Sequence, residues 1–374
     1  MQFLKKVVTW NQLLTERGIL MPLPRVKLPY RSIYHTFSRC VDRSAWMNTD
    51  YKKEKFRQIM RKVEQYSGCK VLSYAIMDSH YHILLEQPDV EDIDNQELMR
   101  RIGCLYGDGY LAKIMNQYND YKKSSQEIAD HWFEAIRKKH LARMFDLSEF
   151  HKTLKLKYTK WYNVKYERTG YFWQSRFKSV IVQNKPGALF FMATYIELNP
   201  IRKKYVSDLK DYRFCSYGEA CGGSHIAKAN LIRIVNLYTN NERNADTSIM
   251  DKQEFNKAWQ DCVAWYRIHI FTRGKTVTDN NGKIIKAGFT DEQVKKVIEQ
   301  KGRLTIAEAM HCRVRHMSYG VAFGAEDFCE EIFTTFKDFF PEKRKTGART
   351  IKQVDFGDCC TIRNLQKDAL RPPE

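Results

Sequence analysis

Between residues 31 and 200 the hydrophobic spacing changes period in a fixed order, and that order restricts topology more than any single residue does. Residues 31–38 (RSIYHTFS) and 70–77 (KVLSYAIM) alternate and are rich in strand formers. Between them, 49–66 places apolar residues among Lys, Glu, Arg and Gln at helical spacing. A third alternating run, 79–86, follows the second almost at once, and helical spacing resumes from Gln96 to Gln117. The run YFWQSRFKSVIVQ, 171–183, is expected as a fourth strand. NKPGALFFMATYIELNP, 184–200, is expected as a helix that starts near Asn184 with an early proline and stops at Pro200. The order β-α-β-β-α-β-α predicts an α+β fold: a split β-α-β (ferredoxin-like) antiparallel sheet with helices on one face.

The length of 374 residues suits two domains. We expect the first over 1–222, with a basic, helical insertion at roughly 120–168, and a mainly helical C-terminal accessory domain over 223–374. TNNERNADT, 239–247, is expected as a polar linker. Helices are expected near 251–267, 290–301 and 325–338, with DNNGK, 279–283, as a hairpin-like turn. No apolar run reaches the roughly 20 residues needed to span a bilayer, and the first 18 residues lack the apolar core of a secretory signal, so a cytoplasmic protein with no membrane partner is expected. Ten scattered cysteines without a C-x-x-C pair are expected to be reduced thiols.

Charge directs attention to a polyanion: 63 Lys and Arg against 44 Asp and Glu leave a net +19. From His151 to Lys178 there are eight Lys or Arg, one acidic residue and eight aromatics. Cations that follow phosphates, interleaved with rings on which unpaired bases stack, suit single-stranded nucleic acid. Arg168, Trp173, Arg176 and Lys178 are the candidates in this segment. The same segment is equally consistent with a strand of core aromatics and solvated cations.

Two further features carry chemistry. On a strand, His80 and His82 point the same way with Cα atoms about 6.8 Å apart, close enough to grip one ion; they are also consistent with two hydrogen-bonded histidines near a sheet surface. By the same alternation Tyr81 faces the other way. Tyr195 and Asn199 stand i, i+4 on one helix face, which brings a phenol and an amide oxygen to the same space.

The stretches YHTFSR at 34–39, HYHILLE at 80–86, GYFWQSRFKS at 170–179 and YIELNPIRKKYVSDLKDYRFCSY at 195–217 resemble, in order, the single-tyrosine HUH transposases, and among them the REP-associated tyrosine transposase branch. The resemblance spans roughly 25–222. Residues 313–333 and 343–349 are similar to tails on long members of the branch, with a helix-turn-helix-like piece expected around 290–316. The resemblance implies that His80, His82 and Asn199 bind a divalent ion, that Tyr195 is the nucleophile, and that the product is a 5′-phosphotyrosine with a free 3′-hydroxyl. Two imidazoles alone would suit zinc, manganese or iron, whereas an amide oxygen and a phosphate favour a harder ion; the resemblance implies Mg2+ or Mn2+. The chain departs from the family pattern at Tyr81, at Asp78 and Ser79, and at Glu197, none of which is a ligand or the nucleophile. Pro200 biases Asn199 away from helical dihedrals and threatens its aim.

The expected function is a metal-dependent DNA-strand transferase that cuts and rejoins single-stranded DNA at hairpins, with Arg39, Arg176 and Lys178 on phosphates and Trp173 on bases. One alternative is a non-catalytic hairpin DNA- or RNA-binding regulator on the same fold, and another is a metal hydrolase in which water attacks. Monomer and homodimer both remain open.

Overall fold

The computed structural model describes residues 26–206, 209–239, 247–271, 276–278, 284–287, 320–350 and 358–362. In chain order the elements are β1 (Ser32–Arg39), α1 (Asp50–Ser67), β2 (Lys70–Ile76), β3 (His80–Gln87), α2 (Asn95–Tyr106), α3 (Asp108–Ser124), α4 (Gln126–Leu141), α5 (Leu147–Lys165), β4 (Lys178–Val182), α6 (Pro186–Glu197) and α7 (Asn199–Arg202). They continue with α8 (Ser216–Cys221), α9 (His225–Tyr238), α10 (Lys252–Phe271), β5 (Thr276–Thr278), β6 (Ile284–Ala287), β7 (Ala322–Ala325), α11 (Glu326–Thr335), β8 (Arg349–Thr350) and β9 (Cys359–Ile362). The result is a mixed α+β fold around one large sheet of order β2-β3-β1-β4-β7-β9-β8, with β5 and β6 as a separate antiparallel pair.

The first four strands pair antiparallel throughout, with β1 between β3 and β4. Two features of the sheet differ from expectation. It continues past β4 through a parallel junction, Ile181 opposite Ala322 and Val182 opposite Phe323, so strands from beyond residue 222 extend it to seven. Helices also cover both faces, not one. Tyr81 points to the first face, where its ring lies 4.9 Å from Phe56 of α1 and its hydroxyl meets His151 Nδ1 of α5 at 3.0 Å. On the other face, α6 packs over β2 and β3, and α9 is tied down by Arg233 to the buried Glu86 carboxylate at 2.8 Å and by Asn230 Nδ2 to the Val71 carbonyl at 2.9 Å. The two-sided cover follows from the strands themselves: both alternating sets of β3, Tyr81-Ile83-Leu85 and His82-Leu84-Glu86, are buried, which a one-sided sheet would not allow.

Local chemistry sets the element ends. Thr49 caps α1 by accepting from Lys52 N, and Gly68 stops it in the left-handed region at φ 75°. The single helix expected over 96–117 is two, α2 and α3, broken at Gly107, whose φ of 81° no helix accommodates. The fourth strand is shorter than its sequence suggests. Only Lys178–Val182 is regular, while residues 171–177 are held irregularly by Phe172 and Phe177, which are buried, and by a lone bridge between Trp173 and Cys40. The segment after Glu197 does not stop at Pro200, because the proline falls in the first turn of α7, where its missing N–H costs nothing.

Helix α6 is buried on every side from Ala188 to Glu197, between the sheet and an outer layer in which Phe190 meets Tyr238 of α9 at 4.2 Å and Trp265 of α10 at 5.1 Å. The expected insertion is helical, and the helices expected near 251–267 and 325–338 are α10 and α11. Strands β5 and β6 flank the hairpin-like turn as an antiparallel pair, but the turn itself, the linker at 240–246 and the helices and helix-turn-helix-like piece at 290–316 lie outside the described residues. Among the described residues every cysteine is a free thiol, and no helix is long and apolar enough to cross a membrane.

Candidate active site

Strand register brings the chemistry together. Phe37 on β1 pairs with His82 on β3 and with Lys178 on β4, and Arg39 pairs with His80. Side chains at these pairs share a face, as does His35 two residues before Phe37. The face under α6 thus carries His35, Phe37 and Arg39 from the first strand, His80 and His82 from the third, and Lys178 from the fourth.

His35 Nε2 and His82 Nδ1 are 2.9 Å apart, one donating to the other, with rings stacked at 5.1 Å. Phe37 extends the row, 5.5 Å from His82. Tyr195 descends from α6 edge-on to both imidazoles, 5.6 Å from His35 and 6.0 Å from His82 between centroids. Over the Tyr195 ring lies the Arg202 guanidinium, 4.6 Å from its centroid and hydrogen-bonded to its hydroxyl. Tyr195 is only 1% exposed. The phenol is therefore enclosed by imidazoles on one side and a guanidinium on the other.

The electrostatics follow from burial among cations. Burial, then Arg39 and Lys203, depress His80 to about 4, so it is a neutral acceptor at pH 7. Burial, then the neighbouring His35 and His80, hold His82 well below the usual imidazole value. Arg202 is itself lowered by burial, and its Nη2 has no partner among the described residues, nor does Arg39 Nε. Each is a buried donor that an incoming oxygen anion would satisfy.

The expected divalent metal does not fit this arrangement. Among the described residues no group of three or more His, Cys, Asp or Glu is placed to hold an ion. His82 Nδ1 is engaged by His35, and the Asn199 amide folds back, donating through Nδ2 to the carbonyls of Tyr195 at 3.1 Å and Ile196 at 3.0 Å. Asn199 thus closes the end of α6. His80 and His82 do come together, at 5.2 Å between rings, yet the ligand set with Mg2+ or Mn2+ is corrected: the third position is a helix-end staple.

Of the expected DNA contacts, Arg39 and Lys178 lie at the rim of the site, and Arg176 is exposed nearby in sequence. Arg168 and Trp173 sit elsewhere. The Arg168 guanidinium stacks 3.6 Å from the Trp46 ring and donates to the Tyr171 carbonyl at 2.9 Å. Trp173 packs against Tyr81, Phe56 and Phe172 and donates through Nε1 to the Lys155 carbonyl at 3.3 Å. Both anchor the irregular 166–177 segment to the first face. Two site residues escaped the sequence reading. His35 was visible as the same-face neighbour of Phe37 and Arg39, and Arg202 as the residue seven after Tyr195, two helical turns along.

Residues 29–123 match the family described as Transposase IS200 like. The resemblance drawn from the motifs therefore stands as a family-level match over this segment. The IS200-like segment runs from before β1 to the end of α3. It includes His35, His80 and His82; Tyr195 and Arg202 come later in the chain. Among solved structures, that of a REP-associated tyrosine transposase bound to a REP hairpin is similar at 15% identity with a TM-score of 0.33, over 55% of this chain and 90% of that one. No curated protein matches the chain.

Proposed function

We propose that this protein is a transposase-type DNA-strand transferase that acts on single-stranded DNA next to hairpins through Tyr195. The Tyr195 oxygen attacks the scissile phosphorus, the P–O3′ bond breaks, and the 3′ oxygen leaves as a hydroxyl while the 5′-phosphate stays on the tyrosine. The proton the phenol gives up balances the one the 3′ oxygen takes. Attack by the 3′-hydroxyl reverses the step, and because one phosphodiester replaces another the strand is rejoined without an added energy source. Arg202 and Arg39 offer their unpartnered N–H groups to the phosphate, as in other charge-stabilised transfers. Lys178 and Arg176 hold the flanking backbone. One observation carries the reading: the phenol lies against two imidazoles and under a guanidinium, on the same sheet face as Arg39 and Lys178.

The buried phenol favours a second reading, a hairpin-binding regulator that no longer cuts. Incubation with a panel of single-stranded hairpin oligonucleotides, followed by mass spectrometry of the protein, separates the two. The transferase forms a covalent adduct on Tyr195 that Tyr195→Phe abolishes while hairpin affinity is kept. Retention of affinity with no adduct from the unaltered protein leaves the regulator.

A further inference from the structure

On the opposite side of the sheet from Tyr195, α1 and α5 pack against each other and present lysines that no carboxylate neutralises. Lys62 on α1 and Lys160 on α5 are exposed, and Lys55 and Lys157 are half-buried; none is in an ion pair among the described residues. The strongest charged neighbours of Lys157 are Arg143, Lys62 and Lys160, and burial followed by these three cations lowers its pKa. Of the four carboxylates on these two helices, Glu54 pairs with Arg57, Glu64 with Arg61 and Glu149 with Lys152, and Asp50 lies in the first turn of α1. At one end of the ridge the rings of Tyr51, Trp161 and Tyr166 stand beside Lys55 and Lys52, with Lys55 Nζ 5.9 Å from Trp161 and Lys52 Nζ 5.0 Å from Tyr166. Tyr51 is 56% exposed and Tyr166 40%.

Four like charges drawn together without counter-charge repel one another, and a bound polyanion removes that cost while releasing its own counterions. Lys55 and Lys62 are two turns apart, about 10.5 Å along the axis. That is close to three nucleotide steps of a duplex strand at about 3.4 Å each. The ridge is a pair of helices, a convex surface that suits a duplex backbone better than an enclosed strand.

We propose that the α1–α5 ridge binds the phosphate backbone of a hairpin stem, a second nucleic-acid site distinct from the strand-transfer face. The proposal rests on the reading of a DNA hairpin as substrate. In the test, the full chain is titrated with a DNA hairpin carrying a single-stranded flank, with its stem as a duplex, and with the flank alone, over a range of salt. In the triple variant Lys55→Gln, Lys62→Gln, Lys160→Gln, the slope of log affinity against log salt falls by about 2.7 for hairpin and duplex, at about 0.9 per phosphate contact. Binding of the flank is unchanged, and the triple Lys→Arg variant restores the slope. Parallel slopes for variant and unaltered protein overturn the ridge, and a loss seen only with the flank overturns the stem assignment. The Tyr195 adduct is read on the same hairpin: its absence from the unaltered protein, alongside the expected slope loss, retires the transfer chemistry and leaves the ridge standing.

Discussion

Replacing Arg202 by methionine separates two roles that the geometry allows it, because they predict opposite signs. The guanidinium lies 4.6 Å from the centroid of the Tyr195 ring and hydrogen-bonds its hydroxyl. At an effective dielectric of about 20, a unit positive charge at that distance stabilises negative charge developing on the phenol by roughly 3.6 kcal/mol. Arg202 is only half-buried, so solvent reduces this to roughly 2 kcal/mol, which is about 30-fold in rate. Single-turnover adduct formation on a saturating hairpin oligonucleotide should therefore slow about 30-fold in Arg202→Met. Arg202→Lys, which keeps the charge and loses the fork, should recover part of the loss. Thermal unfolding of each variant checks that the fold persists. If Arg202→Met reacts as fast as the unaltered protein, or faster, then Arg202 is a cover that only keeps substrate from the phenol, and the electrostatic argument is refuted.

Glu197 is wholly buried, and burial raises it from the ordinary value near 4.5 to about 7 although Ser73 Oγ and Tyr217 N donate to it. A carboxyl raised on folding adds stability below its unfolded value and loses it as pH climbs through the folded one. Denaturation midpoints should thus fall between pH 4.5 and 7, by roughly 3 kcal/mol at 1.36 kcal/mol per pH unit, and Glu197→Gln should flatten that dependence in urea titrations. His35→Phe deprives His82 Nδ1 of its buried partner and should cost about 1–3 kcal/mol in the same assay; an unchanged midpoint would mean that the imidazole pair contributes nothing. Gly218→Ala would drive a Cβ into the backbone carbonyl of Tyr212, so a loss of about 3 kcal/mol is expected by thermal unfolding.

Elements governed by local spacing were legible in the sequence, and those governed by long-range contact were not. The first three strands, α1 and α6 follow from alternation, capping and an early proline, and His80 and His82 share a face because strand geometry requires it. The extension of the sheet beyond β4 was hidden, since β7 is a four-residue strand, AFGA, without a pattern of its own; its pairing comes from Ile181 and Val182, some 140 residues earlier. The helices on both faces, where one was expected, follow from the apolar residues buried on both sides of β3. Trp173 and Arg168 look like nucleic-acid contacts by composition, and only the positions of Tyr81 and Trp46 show them to be anchors. Asn199 has the right spacing for a ligand. Spacing fixes the face of the helix but leaves the amide's rotation open, and here the carbonyls of Tyr195 and Ile196 at the end of α6 took it.

At neutral pH His80 and His82 are held neutral, and Arg202, whose guanidinium touches the phenol, is in no ion pair among the described residues. Its partial burial disfavours its charge, and its Nη2 lacks an acceptor among the described residues. An arrangement of this kind is destabilised until one negative charge arrives. A phosphodiester carries one such charge and presents oxygens at the right scale for a guanidinium fork. On the proposed function, the phosphate would compete with the Tyr195 hydroxyl for Arg202, so that substrate entry and uncovering of the nucleophile become a single event. The same coupling would keep the phenol, 1% exposed, away from water until a strand enters.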